Sequence, residues 1–434
     1  MGVPIPDYDD YFQALRLSKI APYVEPGLPV ETSRGCWWGQ KSHCTFCGLN
    51  GGGMTYRSKS PTRVVDEFLQ LSQRYGMRNF QVVDNILDIA HINTVLPIFA
   101  ALKEPYLIFY ETKANLKRQQ VQQLVKAGVR SIQPGIESMH DSALKLLNKG
   151  NSAVINVQLL KWSREFAIYV YWNFLAGVPG ESAKWYGEVL QWLPWIVHLQ
   201  PPSGISPLRY DRFSLYHEKP EDYGLKLLPN RAYSYVYPLS LEAMADLAYY
   251  FEDYSQLSGD KLSKGNGGKS DHKEIRLSPE YKELKEWINQ WITLFNSDDP
   301  PVLQIIEDDD QRLKIVDTRP CATEDEIILE GLAYQVYMVC DRALTQWELI
   351  EAMRKDYGLD VSWNEIQPVA DELTSRKILL EINGRLLSLA VRGPIVPLPN
   401  NQELPGGYLD IVGFIHDARK ESESQRPAWA TLWM

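Results

Sequence analysis

Residues 30–53 read "VETSRGCWWGQKSHCTFCGLNGGG". The opening run, 30–34, reads as a short strand. Three cysteines follow it at once, Cys36, Cys44 and Cys47, in the spacing C-x7-C-x2-C. The whole chain of 434 residues has only five cysteines. Clustering of this kind, without the even spread of a disulfide framework, points to metal. A tetrahedral zinc site needs four ligands, so here His43 or a distant thiol would have to complete it. The alternative is a four-iron cluster, in which three thiolates leave one iron open. Cys321 and Cys340 lie far off in sequence and are expected to be small buried residues.

Working outward, the chain alternates short apolar runs with amphipathic helical patterns. The expected strands are 30–34, 80–84, 106–111, 129–137, 168–177 and 204–215. Between the first two, Ser60 reads as a helix cap and Pro61 as the first helical residue. Val64, Phe68, Leu71 and Tyr75 share one face, and Gly76 closes the helix. The stretch from Asn115 to Gly128 repeats the plan with Val121, Leu124 and Val125. Strands alternating with helices predict an α/β fold with a parallel sheet, and six units of this kind curl into a partial barrel. Chemistry in such barrels sits at the C-terminal strand ends, where the cysteines stand.

The pattern changes after residue 217. A polar, Gly-rich stretch (257–274) reads as a linker, 281–295 as a helix, and 301–319 as a hairpin turning at Asp308 to Asp310. Helical patterns then lead to "ILLEINGRLLSLAV", a hairpin signal around Asn383-Gly384. The expected divisions are a linker-like segment (1–29), the barrel (30–217), a helical and linker region with a hairpin (218–326), a small α+β winged-helix-like module (327–392) and a poorly ordered tail (393–434). Trp162, Trp172, Trp185, Trp192 and Trp195 crowd one region and are expected to pack in the core.

The formal charge is 45 − 55 = −10, and no basic tract offers a nucleic-acid surface. No apolar run approaches the about 20 residues of a membrane span. The N-terminus lacks a signal peptide's basic and apolar regions. A cytoplasmic location without nucleic-acid or membrane partners is expected.

The stretch "SRGCWWGQKSHCTFCGLNGGGMTYRSKSP" resembles the radical S-adenosylmethionine (radical SAM) superfamily. Within it, the chain is similar to the cobalamin-dependent C-methyltransferases that mature ribosomally made peptides (RiPPs). Most members have C-x3-C-x2-C, so the first gap here is a departure. The resemblance implies that the fold is a partial (β/α)6 radical SAM barrel. It also implies a [4Fe-4S] cluster on Cys36, Cys44 and Cys47. S-adenosylmethionine would bind the open iron and split to a 5′-deoxyadenosyl radical, which attacks an unactivated carbon of a precursor peptide. Polar residues at the strand ends would hold that cofactor: Asp84 and Asn85; Glu111, Lys113 and Asn115; Glu137 and Ser138; Asn173; and Gly177, Pro179 and Gly180. For Asn115 a helix cap is an equal alternative, and for the Gly177-Pro179-Gly180 turn the alternative is a tight connection. The opening "GVPIPDYDDYF" resembles the segment that joins a cobalamin domain to the barrel. No D-x-H-x-x-G occurs among the seven histidines. Cobalamin is therefore expected from a separate domain or chain, with flavodoxin or ferredoxin as electron donor. Epimerisation or crosslinking without cobalamin, or a zinc-stabilised binding protein, are the alternatives.

Overall fold

The computed structural model describes residues 3–49, 51, 53–254, 278–400, 403–411 and 413–414. Its first long helix, Pro61–Tyr75, forms where the sequence pattern places it. The Ser60 hydroxyl accepts from Arg63 N at 3.3 Å, and Gly76 ends the helix at φ 64°. Val64, Phe68 and Leu71 are buried on one stripe. Each such burial contributes roughly 1.5–3 kcal/mol. Phe68 meets Phe80 of the following strand at 4.3 Å between ring centroids.

Five strands form one parallel sheet in chain order: Leu28–Val30, Asn79–Val82, Leu107–Thr112, Val129–Pro134 and Tyr169–Val170. A second parallel pair, Phe174–Ala176 with Ile205–Pro207, continues from it through a bridge between Glu137 and Phe174. Register sets Leu28 beside Phe80 and Phe80 beside Ile108, all buried under helices. The alternate residues form the other face, with Pro29, Gln81, Phe109, Ser131 and Tyr169 in one row.

Several expectations change. The first strand is Leu28–Val30, whereas Ser33–Arg34 pairs antiparallel with Arg57–Ser58 and closes the base of the cysteine segment. The run 168–177 breaks at 171–173, and its two halves pair with different neighbours. The run 204–215 also splits, after Ile205–Pro207. Tyr210–Asp211 joins Tyr250–Asp253 and Leu227–Pro229 in an antiparallel sheet instead. The segment 1–29 carries a helix, Asp9–Leu17, with Phe12 stacked on Tyr75. In the tail, Tyr408–Leu409 pairs with Val24–Glu25. Gly27 permits this approach, since a Cβ there would lie 2.3 Å from Pro405 O. The stretch 257–274 and most of the tail lie outside the described residues.

Beyond residue 278 the pattern holds. Helix Pro279–Phe295 leads to the hairpin Leu303–Asp308 and Arg312–Asp317, whose turn has Asp310 at φ 67°. Three helices follow, Gly331–Val339, Gln346–Tyr357 and Trp363–Ser375. A hairpin, Leu379–Ile382 with Arg385–Ser388, turns through Asn383 and Gly384 at φ 50° and 72°, and Leu344–Thr345 completes its sheet. The core is continuous from this region to the parallel sheet. Trp162 and Trp172 are in it, and Trp192 and Trp195 pack against it. Among the described residues no helix is long and apolar enough to cross a membrane.

Helix Ala153–Glu165 joins the two parts. Its Lys161 is fully buried, with Nζ donating to Asp341 Oδ1 (2.9 Å), Asp341 O (2.8 Å) and Ser388 O (2.9 Å). A buried ammonium is tolerated only because every donor is used. Removing one end of such a pair is costly, while removing both is much less so. Lys161→Met should therefore lower the unfolding free energy by on the order of 3 kcal/mol, read from the urea midpoint. Adding Asp341→Asn should recover part of the loss. A single variant as stable as the parent would show that the contact carries no net energy.

Candidate functional site

The cysteine loop is too short to hold its own shape. Its helix, Trp37–Lys41, has five residues, far below the length at which an isolated helix is stable in water. Its order comes from three neighbours. Trp37 Nε1 donates to Leu87 O at 3.1 Å, and Trp38 Nε1 to Asn148 O at 3.2 Å. Asn148 Nδ2 donates back to His43 O at 2.8 Å, and Thr45 Oγ1 to Leu146 O at 3.1 Å. Tyr249 Oη donates to Gly48 O at 3.1 Å. His43 Nε2 donates to Cys47 O at 2.8 Å, which gives it a loop role. Gly48 and Gly51 permit close packing. A Cβ on Gly48 would lie 2.1 Å from Arg212 O, and one on Gly51 would enter the Phe213 ring.

The three thiols are within electrostatic reach of one another. Burial raises Cys44, with Lys149 opposing, and burial pushes Cys47 up to about 11. Buried thiols of this kind ionise when a metal takes the place of the proton. Among the described residues no three His, Cys, Asp or Glu side chains converge on a single ion. Cys321 and Cys340 stand apart. Cys321 Sγ donates to Pro194 O, and Cys340 is fully buried in the core.

Two lysines face the thiols. Lys113 ends the third strand, and its Nζ donates to Lys149 O at 2.6 Å and lies 3.6 Å from the centroid of Trp38. Burial lowers it to about 8, with Lys149 adding to the shift. Lys149 pairs with Glu137 at 3.2 Å and lies 5.5 Å from the Phe46 ring, between Cys44 and Cys47. Burial pulls Lys149 down, but Glu137 and then Cys44 outweigh it, and its net shift is upward. The sequence reading missed Lys149 and Asn148. Both lie in a turn, "LNKGN", where only tertiary contacts fix their aim. Gly150 in that turn has φ 62°, and a Cβ there would lie 2.1 Å from the Trp38 ring.

The expected cofactor residues differ in burial and contacts. Glu111 is in the third strand in line with Phe109; Lys113, Asn85 and Glu137 lie just past their strands' ends; and all but the buried Lys113 are half-buried. Asp84, just past the strand Asn79–Val82, is buried. Its carboxylate is used up by Thr32 N (2.7 Å), the Thr32 hydroxyl and Ser33 Oγ (2.8 Å), so it positions the cysteine segment. Ser138 is buried and accepts from His140 N at 3.2 Å, which makes it a turn residue. Asn115 is exposed and caps nothing, because the helix is Arg118–Lys126 with Lys117 at its N-cap. Asn173 is exposed. In the turn of Gly177, Pro179 and Gly180, Gly177 N and Val178 N both donate to Glu181 Oε2, at 2.7 and 2.9 Å. That turn is a self-contained connection.

Glu111 has the most altered carboxyl of the group. Burial, then the charges of Glu137 and Asp84, push it to about 7 from 4.5. A folded-state value above the unfolded one means that the folded protein binds the extra proton between those two pH values. This group's contribution to stability is thus present below pH of about 4.5 and lost as pH rises toward about 7. Glu111→Gln should flatten the fall in stability across that window, measured by thermal unfolding of the ligand-free protein. An unchanged slope would remove Glu111 as its source.

Residues 30–193 match the family model of the Radical SAM superfamily. Among curated proteins, an uncharacterized methyltransferase of Pyrococcus horikoshii is 26% identical over 190 residues, covering 42% of this chain and 39% of its own. The cytidylyl-2-hydroxyethylphosphonate methyltransferase of Streptomyces wedmorensis is 28% identical over 153 residues, covering 34% and 28%. This chain therefore spans well under half the length of these relatives. Among solved structures, the radical S-adenosylmethionine methyltransferase TsrM of Kitasatospora setae, with cobalamin and a [4Fe-4S] cluster bound, is 21% identical over 50% of this chain and 41% of that one, at a TM-score of 0.40.

Proposed function

We propose that the Radical SAM domain at residues 30–193 makes this chain a radical SAM enzyme acting on a ribosomally made precursor peptide, with C-methylation as the outcome. Cys36, Cys44 and Cys47 would hold the cluster. When bound, that group supplies the electron that splits S-adenosylmethionine to methionine and a 5′-deoxyadenosyl radical. The observation that carries the reading is the set of three thiols beyond the first strand, close enough to feel one another's charge, with Cys44 and Cys47 desolvated.

The chain's own residues have definable tasks. Lys113 and Lys149 offset the negative charge of the thiolates. Trp37 and Trp38 cover the loop. Glu111 and Glu137 face the same side and suit the cationic sulfonium and ammonium of S-adenosylmethionine, as opposite charges favour each other in a half-buried site. In this reading the parallel strands make a partial six-unit barrel. Residues 327–392 make a winged-helix-like module, and its hairpin tip reaches the barrel rim, where Asn383 Nδ2 donates to Asp141 Oδ2 at 2.7 Å. That position favours a role in docking peptide near Glu137. Cobalamin would come from a separate domain or chain, and electrons from a flavodoxin or ferredoxin in the cytoplasm.

Cys44→Ala should abolish iron retention and 5′-deoxyadenosine formation in anaerobically prepared protein. Cys340→Ser should leave both intact. A Cys44→Ala protein with parental iron and cleavage would end the cluster reading.

Methyl transfer has its own test. A substrate radical cannot readily take a methyl from the S-adenosylmethionine just cut, so a second carrier is required. The reduced protein should methylate peptide only when a cobalamin-binding protein is added, as seen by a mass gain of one methylene. Methylation without cobalamin would overturn this part. Mass-neutral deuterium uptake would replace it with epimerisation.

A further inference from the structure

The turn that follows helix Asp141–Leu146 carries a lysine that no helix or strand pattern requires. The Lys149 side chain is 13% exposed, and three features fix its ammonium. Gly135 makes room for it, since a Cβ there would lie 2.3 Å from Lys149 Nζ. Glu137 adopts φ 59°, a left-handed conformation uncommon outside glycine, and its carboxylate meets the ammonium at 3.2 Å. Lys113 holds the Lys149 carbonyl at 2.6 Å. The ammonium then lies 5.5 Å from the ring of Phe46, the residue before Cys47. The other nearby cation, Lys113, is engaged by backbone carbonyls and the Trp38 face.

A cluster on Cys36, Cys44 and Cys47 gains one negative charge when it is reduced. A fixed, half-buried cation beside it favours that state, because screening is weak where water is excluded. Net charge near the sulfurs is one of the main determinants of such potentials. We propose that Lys149 sets how readily the iron–sulfur group is reduced, with Glu137 as its counterweight. This rests on the cluster reading above. Lys149 acts here as a positioning residue through charge.

The test uses the full chain, reconstituted with iron and sulfide and kept free of S-adenosylmethionine. Dithionite supplies the single electron of the 2+/1+ couple. Iron content, the reduced-state paramagnetic signal and the midpoint potential are read for the parent, Lys149→Gln, Lys149→Arg and Glu137→Gln. Lys149→Gln should lower the reduced-to-oxidised ratio at a fixed potential about tenfold, equal to a fall of ~59 mV for one electron. Glu137→Gln should shift it the opposite way, and Lys149→Arg should stay near the parent. Shifts of the same sign in Lys149→Gln and Glu137→Gln would indicate mere loosening and overturn the proposal. So would a Lys149→Gln protein with parental potential. If Lys149→Gln loses iron, Glu137→Gln decides alone: a rise in potential supports the role and no change overturns it. A parent that takes up no cluster overturns the cluster reading and this inference together.

Discussion

The site depends on the clamp around Trp38. The indole lies against Gly150, carries the Lys113 ammonium on one face at 3.6 Å, and donates through Nε1 to Asn148 O. One side chain thus joins the cysteine loop, the end of the third strand and the turn after the fourth. A desolvated cation–π contact is worth about 2 kcal/mol, and the hydrogen bond adds about 1. These are modest sums, but the five-residue helix they fix has no stability of its own. The position of Cys44 follows from this clamp, because Thr45 and His43 on either side of it are tied to the same turn. Glycine at 150 is required twice, by its φ and by the indole.

The C-terminal region is built into the fold rather than hung on it. Helix Ala153–Glu165 is buried along most of its length, from Ala153 to Ser163. A helix buried on nearly all sides needs cover on all of them, and here the sheet supplies one cover and the hairpin region the other. Polar ties then fix the register of the two parts. Lys161 reaches Asp341 and Ser388, His198 Nε2 donates to Leu389 O at 3.0 Å, and Arg319, held by the buried Asp317, donates to Trp195 O. Such buried polar contacts add less net stability than apolar packing of equal volume, but they allow only one seating. Deleting residues 327–392 would strip a face from this helix and disturb the sheet beneath it. Point substitutions on the hairpin tip are therefore the cleaner probe of a docking role.

Sequence periodicity made most of the architecture legible. The Ser60, Pro61 and Gly76 signals mark a real helix, and the turns at Asp310 and Asn383-Gly384 stand where the residues require them. What periodicity could not give was burial at strand ends. Asp84 and Asn85 are adjacent and lie just past the strand Asn79–Val82, yet Asp84 is buried and Asn85 only half-buried. The sequence does not mark the last paired residue, so Asp84 and Asn85 read alike. Only the contacts of Thr32 and Ser33 separate them. Lys149 was illegible for a different reason. A lysine in a polar turn reads as solvated, and what buries it is the close approach at Gly135 from another strand.

Charge ties the two halves of the site together. Three thiolates, Glu111 and Glu137 would carry five negative charges, against two positive ones on Lys113 and Lys149. In a half-buried space that excess is costly, and burial raises the proton affinity of the groups that carry it. Cys47 stays up at about 11, and Glu111 drifts to about 7. An occupant that brings positive charge removes the need for those protons. In the proposed reading, iron would do so at the thiols, and a molecule with a sulfonium and an ammonium would do so at the carboxylates. The two requirements lie side by side, on the loop and on the strand ends that Lys113 and Lys149 connect. The two groups also feel each other directly, since the Glu137 charge acts on Cys44. In the proposed reading, the carboxylates would face the cationic cofactor and the thiols the metal.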